Sequence, residues 1–574
     1  MTALPKPPRS LHLSFAALLV AAIWTLLLVG YILDIESFLW FLISTGSQLL
    51  ATIAFFVWWF RRTSIPFRHR LLAFAAAIAF GILVGILCGS VIKPQVFLVS
   101  LGIPLVLAAW TLYLALAPRQ PFPLPGLLLA LALAWCPFFL IRINNLSGNM
   151  RPDLHFRFTP TGEELYLAHP DRPAATLPAA ATALALRPGD WPGFRGPDRD
   201  SAARHLKINL DWKSAPPKVL WRERIGPAWS SMAIVDGRLF TQEQRGNQET
   251  VVCLDALTGR EVWSHSDPAR FDEATSGPGP RATPTFADGK LYTQGALGTL
   301  NCLDAATGKL LWSRNDGADS AAKTPLWGYS SSPLAAAGRV FVCTAGEGHA
   351  GLLAYSDTGG PPLWKADVGL MSYSSPQFAA PFEEERILIF TDGGLYALLP
   401  ATGELRSHYP IPRTVGVPPV AQPCPVADNR FVLGHGAGFG AALVQFAPGT
   451  APPTRQWITT QFKPSFSDMV LYQGYIYGFD GTVFCCVEAA TGKRQWREGH
   501  YGAGQVILLA DQGVMIVITE TGQAILLRCS PAAHEELATL EAVSGKAWNH
   551  PAIAQNRLYV RSDAEMTCLE LKRE

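Results

Sequence analysis

The chain has 574 residues, 49% of them apolar, and a formal net charge of only +2. That length exceeds what one compact core usually organises. There is no basic stripe or basic tail, which excludes nucleic acid as a partner on charge grounds. Apolar residues crowd the first 141 positions, and the remainder is rich in Gly, Pro, Ser and Thr, as in water-soluble proteins.

Five apolar runs, at 11–33, 38–60, 71–92, 96–117 and 124–141, are long enough or nearly long enough to cross a bilayer as helices. The first is not a cleavable signal, because four more follow it closely. The fifth is the shortest and contains Pro137. Lys6, Arg9, Arg61, Arg62, Arg68, Arg70 and Arg119 fall on one side of these runs, and Asp34, Glu36 and Lys93 on the other. Basic loops stay in the cytoplasm, so the N-terminus is expected there. Five crossings put everything after about Arg142 outside the cytoplasm; four would leave it inside. No His pair or acidic relay interrupts the runs, so residues 1–142 read as an anchor in lipid. Trp24, Trp40, Trp58, Trp59, Trp110 and Trp135 are expected at the interface or facing lipid.

Residues 143–217 form a lead-in. The piece 156–168 suits a short strand and a turn of helix, and 171–188 is an Ala/Pro-rich spacer. WPGFRGPDRD at 191–200 combines turn-forming residues with Trp191 and Phe194, which need burial. It is expected to plug or cover the following domain, with Arg195 and Arg199 as structural arginines or anion contacts.

From Lys218 to the end, short β-rich runs alternate with Gly-centred turns. LDALTGREVW at 254–263 returns as LDAATGKLLW at 303–312 and VEAATGKRQW at 487–496. Asp236-Gly237 is a favoured hairpin turn. Eight four-strand units follow, beginning near 230, 283, 331, 374, 418, 467, 504 and 550. The last lacks an outer strand, which 218–222 supplies from the front, so the ring closes without a free edge. The expected fold is an eight-bladed, all-β propeller of four-stranded antiparallel blades over 218–574, preceded by an α-helical transmembrane bundle. Trp221, Trp263, Trp312, Trp364, Tyr409, Trp457 and Trp496 recur at the end of each unit and are expected to fill the wedge between blades. Gly259, Gly308 and Gly492 permit the turn into the outer strand.

AATGKLLW and AATGKRQW resemble the tryptophan-docking blades of the pyrroloquinoline-quinone (PQQ) dehydrogenase superfamily, over roughly 191–571. The same blades build the propeller lipoprotein of the outer-membrane β-barrel assembly complex, which binds no quinone. WPGFRGPDRD followed by such blades also resembles a large set of bacterial PQQ-like repeat proteins, and the five runs resemble the layout of membrane-bound glucose dehydrogenase. The resemblance implies a bacterial inner-membrane protein with a periplasmic propeller. Its two branches imply different functions. The dehydrogenases bind PQQ with Ca²⁺ in the central channel and use an Asp base; the assembly factor only docks extracytoplasmic protein partners.

The starts of the innermost strands should line the channel mouth. There the sequence offers the aromatics Trp229, Tyr329, Tyr373, Phe466 and Trp548, with Arg281 and Asn549 as polar contacts. Asp468 is the only carboxylate at an equivalent place and the one candidate base. No metal cage stands out, so no cofactor is expected from these residues; the dehydrogenase resemblance alone implies PQQ with Ca²⁺. Ser-Ser-Pro recurs where the strands converge, where small hydroxyls can satisfy nearby backbone groups. Cys485 and Cys486 are adjacent, but Cys486 shares the slot of Cys253, Cys302 and Cys568, and neighbours on a strand point oppositely. His435 and His349 lie in Gly-rich loops, and His534-Glu535-Glu536 lacks a second histidine for a zinc helix. Phosphate-loop, haem-attachment and nucleophile-elbow motifs are absent. The residues favour a membrane-anchored, non-catalytic binding module; the alternative is a PQQ-dependent alcohol or sugar dehydrogenase donating electrons to membrane quinone.

Overall fold

A computed structural model describes residues 13–32, 38–89, 91–92, 96–116, 122–148, 151–168, 183–344, 351–379, 384–412, 418–427, 429–436 and 438–574. Its contacts divide the chain into two compact units. One comprises 1–159 with 274–277, and the other comprises 160–273 with 278–574.

In the first unit, four helices are long and apolar enough to cross a membrane: α1 (Ser14–Ile32), α2 (Phe38–Phe60), α3 (Phe67–Cys88) and α4 (Val96–Leu116). The fifth expected span is corrected. Helix α5 covers only Leu124–Trp135, tightens into a 3₁₀ turn over Cys136–Phe139, and gives way to a strand at Ile141. Pro137 lacks the N–H an α-helix needs there, so the ladder ends. The Trp135 ring lies against the Gly81 and Gly102 backbones, where an added Cβ would collide with it. Trp59, Trp110 and Trp135 are buried within the bundle instead of facing lipid. Trp59 and Trp110 meet edge-on at 4.9 Å.

The second unit is the propeller. Its blades occupy 233–267, 285–315, 334–366, 377–410, 424–459, 470–500, 505–541 and 552–570, each an antiparallel meander. We number them 1 to 8. Blade 8 has three strands of its own and takes the strand Lys218–Arg224 as its fourth, with Trp221 opposite Cys568. This is the closure expected from the sequence. Asp236-Gly237 and Asp288-Gly289 both have positive φ at the two central positions, as a type I′ hairpin requires.

The tryptophans dock across blades. Trp221, Trp263, Trp312, Trp364, Trp457 and Trp496 each donate the indole N–H to a carbonyl in the next blade, at 2.8–3.2 Å. The glycines of the repeat serve the preceding blade's tryptophan as well as their own turn. A Cβ on Gly259 would sit 2.8 Å from the Trp221 ring, and one on Gly492 2.7 Å from Trp457. At the equivalent place in blade 4, Tyr409 packs on the cluster that includes Phe431 and Phe439. Within four blades an aromatic, a cysteine and a tryptophan stand in register across three strands. They are Phe240, Cys253 and Trp263; Tyr292, Cys302 and Trp312; Tyr477, Cys486 and Trp496; and Tyr559, Cys568 and Trp221. These thiols are free and buried, and burial pushes Cys486 and Cys568 up to about 12. Cys485 faces the opposite cluster, as strand alternation demands.

From Pro160 onward the lead-in belongs to the propeller unit. Thr161 caps a helical turn, Gly162–Leu167, with Glu164 reciprocating. Tyr166 of that turn donates to Glu243 at 2.6 Å. Most of the Ala/Pro-rich spacer lies outside the described residues.

Candidate functional site

The residues before each innermost strand form a belt around the axis. The backbone N–H of Ser231 donates to Thr283 Oγ1 at 3.1 Å, and that of Thr283 to Ser332 Oγ at 2.9 Å. The N–H of Ser332 donates to Ser375 Oγ at 2.9 Å, and that of Ser375 to Gln422 Oε1 at 3.2 Å. The N–H of Gln422 donates to Asp468 Oδ1 at 2.5 Å, and that of Asp468 to Gln505 Oε1 at 3.4 Å. Gln505 reaches the Trp548 carbonyl, and Ser231 Oγ donates to the His550 carbonyl at 2.6 Å, which completes the circle. Each side chain therefore satisfies a backbone group of the preceding blade, where converging strands cannot pair with one another. The hydroxyls do what the Ser-Ser-Pro pattern suggests, but between blades.

Asp468 belongs to this belt. It is 4% exposed. Its Oδ2 accepts from His550 Nε2 at 3.0 Å and lies 3.3 Å from Arg195 Nε. Burial opposes its charge, but the Arg195 guanidinium and the hydrogen bonds from His550 and Gln422 prevail and hold the carboxyl below its usual range. Burial pushes His550 the other way, toward the neutral ring.

Arg195 arrives on the WPGFRGPDRD segment, which threads the channel. Trp191 bridges to Ile234 of blade 1, and Ala202–Ala203 adds a short parallel strand to blade 7. Phe194 meets the His550 ring edge-on at 5.2 Å. Arg199 donates to the carbonyls of Pro376 and Pro333 and to Thr285 Oγ1. The segment is thus a plug, as expected, and it touches blades 1, 2, 3, 4, 6, 7 and 8.

The mouth lies outward of the belt. Trp229 and Trp548 stand with ring centroids 5.0 Å apart, and the Lys546 ammonium sits 4.0 Å from the Trp548 ring. Glu520 accepts from the Trp548 indole at 3.0 Å. Arg281 lies 4.4 Å over the Phe271 ring and 3.4 Å from Glu273, and burial lowers it to about 10. Asn549 donates to the carbonyls of Ala228 and Ser230, which fixes the junction of blades 8 and 1. In blade 3 the expected register is off by one. Ser332 is the belt residue, so Tyr329 is not the equivalent of Trp229; it is buried beside the turn at Gly298. The mouth aromatic there is Trp327, 5.1 Å from Tyr373 and 5.9 Å from Phe466. In blade 5 the equivalent residues are Val420, Ala421 and Gln422 rather than Pro418; Val417 lies outside the described residues. Trp327 and Gln422 went unrecognised in the sequence because blades 3 and 5 lose the repeat's spacing just there; Lys546 precedes the blade 8 triplet Trp548-Asn549-His550, and only the fold shows it over the Trp548 ring. His435 is a buried blade residue, and His349 lies outside the described residues.

An eight-bladed ring with indole-docked blades, closed by its own N-terminal strand, defines the class. A family model described as outer membrane protein assembly factor BamB, a PQQ-like repeat model, matches residues 212–325 and 247–498, together half of the chain. The chain belongs to this PQQ-like repeat propeller family, which is related to both BamB and the quinoprotein dehydrogenases. No curated protein matches the sequence. Among solved structures it is similar to quinohemoprotein alcohol dehydrogenase from Comamonas testosteroni, at 14% identity and TM-score 0.52, covering 68% of this chain and 82% of that one. The alcohol dehydrogenase ADHIIG of Pseudomonas putida HK5 also has 14% identity, with TM-score 0.50, 68% of this chain and 81% of that one. BamB from Moraxella catarrhalis has 14% identity and TM-score 0.46, covering 62% of this chain and all of that one. At these identities the similarity shows the fold.

The dehydrogenase branch implies PQQ and Ca²⁺, and the residues present can be tested against that pair. A hard cation takes about 6–8 oxygen ligands. Among the described residues no three His, Cys, Asp or Glu side chains converge on one point. Asp468, the one belt carboxylate among the described residues, is already neutralised by Arg195 and hydrogen-bonded by Gln422 and His550. This donor set does not fit a Ca²⁺–quinone pair.

Proposed function

We propose that the protein is a membrane-anchored propeller that binds a partner protein at its channel mouth, without catalysis. The observation that carries this reading is the use of Asp468. The single carboxylate placed for chemistry is spent on the belt and on Arg195, beside a channel threaded by the chain's own plug. What remains open is the mouth, where Phe466, Leu326 and Leu370 are exposed. In this reading 1–142 anchors, 143–217 leads in, and 218–574 binds. The N-terminus lies in the cytoplasm; the propeller lies on the far side of a bacterial inner membrane in this reading, which requires the short apolar segment Leu124–Phe139 to complete the crossing that α1 to α4 alone do not provide.

The test uses the full-length protein in mild detergent, with PQQ and Ca²⁺ added. Calorimetry and dye-linked alcohol and sugar oxidation are expected to show neither heat nor turnover in folded protein. Photo-crosslinkers at Leu326 and Phe466 are expected to capture a protein outside the cytoplasm. Saturable PQQ binding with dye reduction would replace this reading by a second one, PQQ-dependent oxidation. That second reading draws on the paired Trp229 and Trp548 indoles with Lys546 beside them, a surface suited to a flat anion. It also draws on the propeller shared with the two alcohol dehydrogenases.

A further inference from the structure

The helical unit contains a groove of about 750 Å³. That size is ordinary for a small-molecule site. One wall is the Gly81, Gly85 and Gly89 face of α3, and the other is Leu98, Ile103 and Leu107 of α4. Trp135 forms the floor, its ring against the Gly81 and Gly102 backbones. A Cβ on Gly85 would meet only Leu98, at 3.5 Å. The groove opens sideways, where Ile82 is 59% exposed and Ile86 74%.

Depth decides what can fill it. Along α3 the lining runs from Ala77 to Gly89, about 18 Å at 1.5 Å per residue. On α4 it runs from Leu98 to Leu107, about 14 Å. The hydrocarbon of a bilayer is about 30 Å thick, so the groove matches one leaflet. Its inner end is shut, because Phe56 packs on Phe74 at 4.7 Å and on Trp110 at 5.7 Å. A partner's transmembrane helix needs the full thickness and would run into this stop. A hydrocarbon chain entering from one leaflet fits.

The other end lies at Gly89, next to Cys88. Arg157 Nη1 sits 3.6 Å from Cys88 Sγ, and Arg157 meets no carboxylate among the described residues. The exposed rings of Phe156 and Phe158 flank it. Exposed apolar side chains of this kind mark a membrane contact, and a guanidinium among them pairs well with a phosphodiester.

We propose that this groove is a phospholipid site. One acyl chain lies between α3 and α4, and Arg157 holds the phosphate at the lip. The site rests on the anchor reading of 1–142 and stands whether or not the propeller mouth binds a partner.

The test is native mass spectrometry on the full chain in mild detergent, after alkaline carbonate washing of the membranes. Release by carbonate would refute the anchor reading itself; a chain that stays in the membrane but retains no phospholipid overturns the site alone. One phosphatidylglycerol per chain is expected to survive delipidation, and added dioleoyl phosphatidylglycerol should refill the site saturably. Gly85→Leu fills the groove and raises helix propensity, so folding is not at risk. It should weaken retention about tenfold, as overpacking of a site does. Arg157→Gln should weaken phosphatidylglycerol about tenfold but leave dioleoylglycerol, which has no phosphate, unchanged. Retention that Gly85→Leu does not alter overturns the proposal. So does an isoprenoid quinone recovered in place of the phospholipid, or a dimer that Gly85→Leu dissociates. Phosphatidylglycerol binding indifferent to Arg157→Gln overturns the assignment of the phosphate.

Discussion

Replacing Asp468 with Ala tests the belt directly. The side chain accepts from the Gln422 N–H at 2.5 Å and from His550 at 3.0 Å, and it faces Arg195 at 3.3 Å. All of these groups are buried. Removing one partner of a buried ion pair costs about 3–5 kcal/mol, because the other charge is left behind. The orphaned Gln422 N–H would by itself cost about 1–3 kcal/mol, a term that overlaps with the first. A total of about 4 kcal/mol is expected, seen as a fall of about 5–10 °C in the propeller's unfolding midpoint. Asp468→Asn keeps an acceptor for Gln422 while losing the charge, and should fall between wild type and Ala. The assay is intrinsic tryptophan fluorescence on heating, checked by limited proteolysis of the plug. Because the folded carboxyl lies below its ordinary value, its stabilising contribution is present above about pH 4 and lost only as pH falls through the lowered value. The deficit of Asp468→Ala should therefore be constant from pH 5 to pH 8. An unchanged midpoint would refute the structural role given to Asp468.

Other perturbations address the blades and the buried acids. Trp312→Ala removes an indole that donates to Asp357 O at 3.0 Å and covers Gly359, and should cost about 3–5 kcal/mol by thermal or urea unfolding; Trp312→Phe should recover part of this. Gly308→Ala would place a Cβ 2.5 Å from the Trp263 ring at φ +73°, and should lose about 2–4 kcal/mol in the same measurement. Burial pushes the carboxyls of Glu249 and Asp316 up to about 7. The folded state then holds protons that the unfolded state has released, so stability should fall as pH rises from about 4 to about 7. Glu249→Gln and Asp316→Asn should flatten that slope between pH 5 and pH 8, read from the unfolding midpoint.

The ring was legible because its repeat is local. In blades 1, 2 and 6 the turn, the cysteine and the tryptophan lie within about ten residues, so the period and the outer strand supplied from 218–222 could be read directly. What escaped depended on contacts far apart in the chain. Arg195 finds Asp468 across 273 positions, and nothing near either residue announces the pairing. Gln422 and Gln505 take the belt place that serine and threonine hold elsewhere, because a longer amide can bridge the same gap. Tyr329-Ser330-Ser331 mimics Trp229-Ser230-Ser231, an aromatic before two serines, whereas the hydrogen bonds align Ser332 with Ser231. Pro137 marks the weak point of the fifth run in the sequence, but only the structure shows the α-helix tightening there into a 3₁₀ turn.

The closure of blade 8 also sets an order of events during synthesis. The strand Lys218–Arg224 leaves the ribosome long before its partner Glu565–Glu570 exists. At about 5–20 residues per second, it waits about 20–70 s with its edge exposed. Its charged residues, Lys218, Arg222, Glu223 and Arg224, suit that interval, since charge on an open edge discourages pairing with a wrong strand. Nascent chains stalled before residue 565 should hold seven blades and remain sensitive to protease at 218–224. Releasing the last strand should confer resistance in a single step.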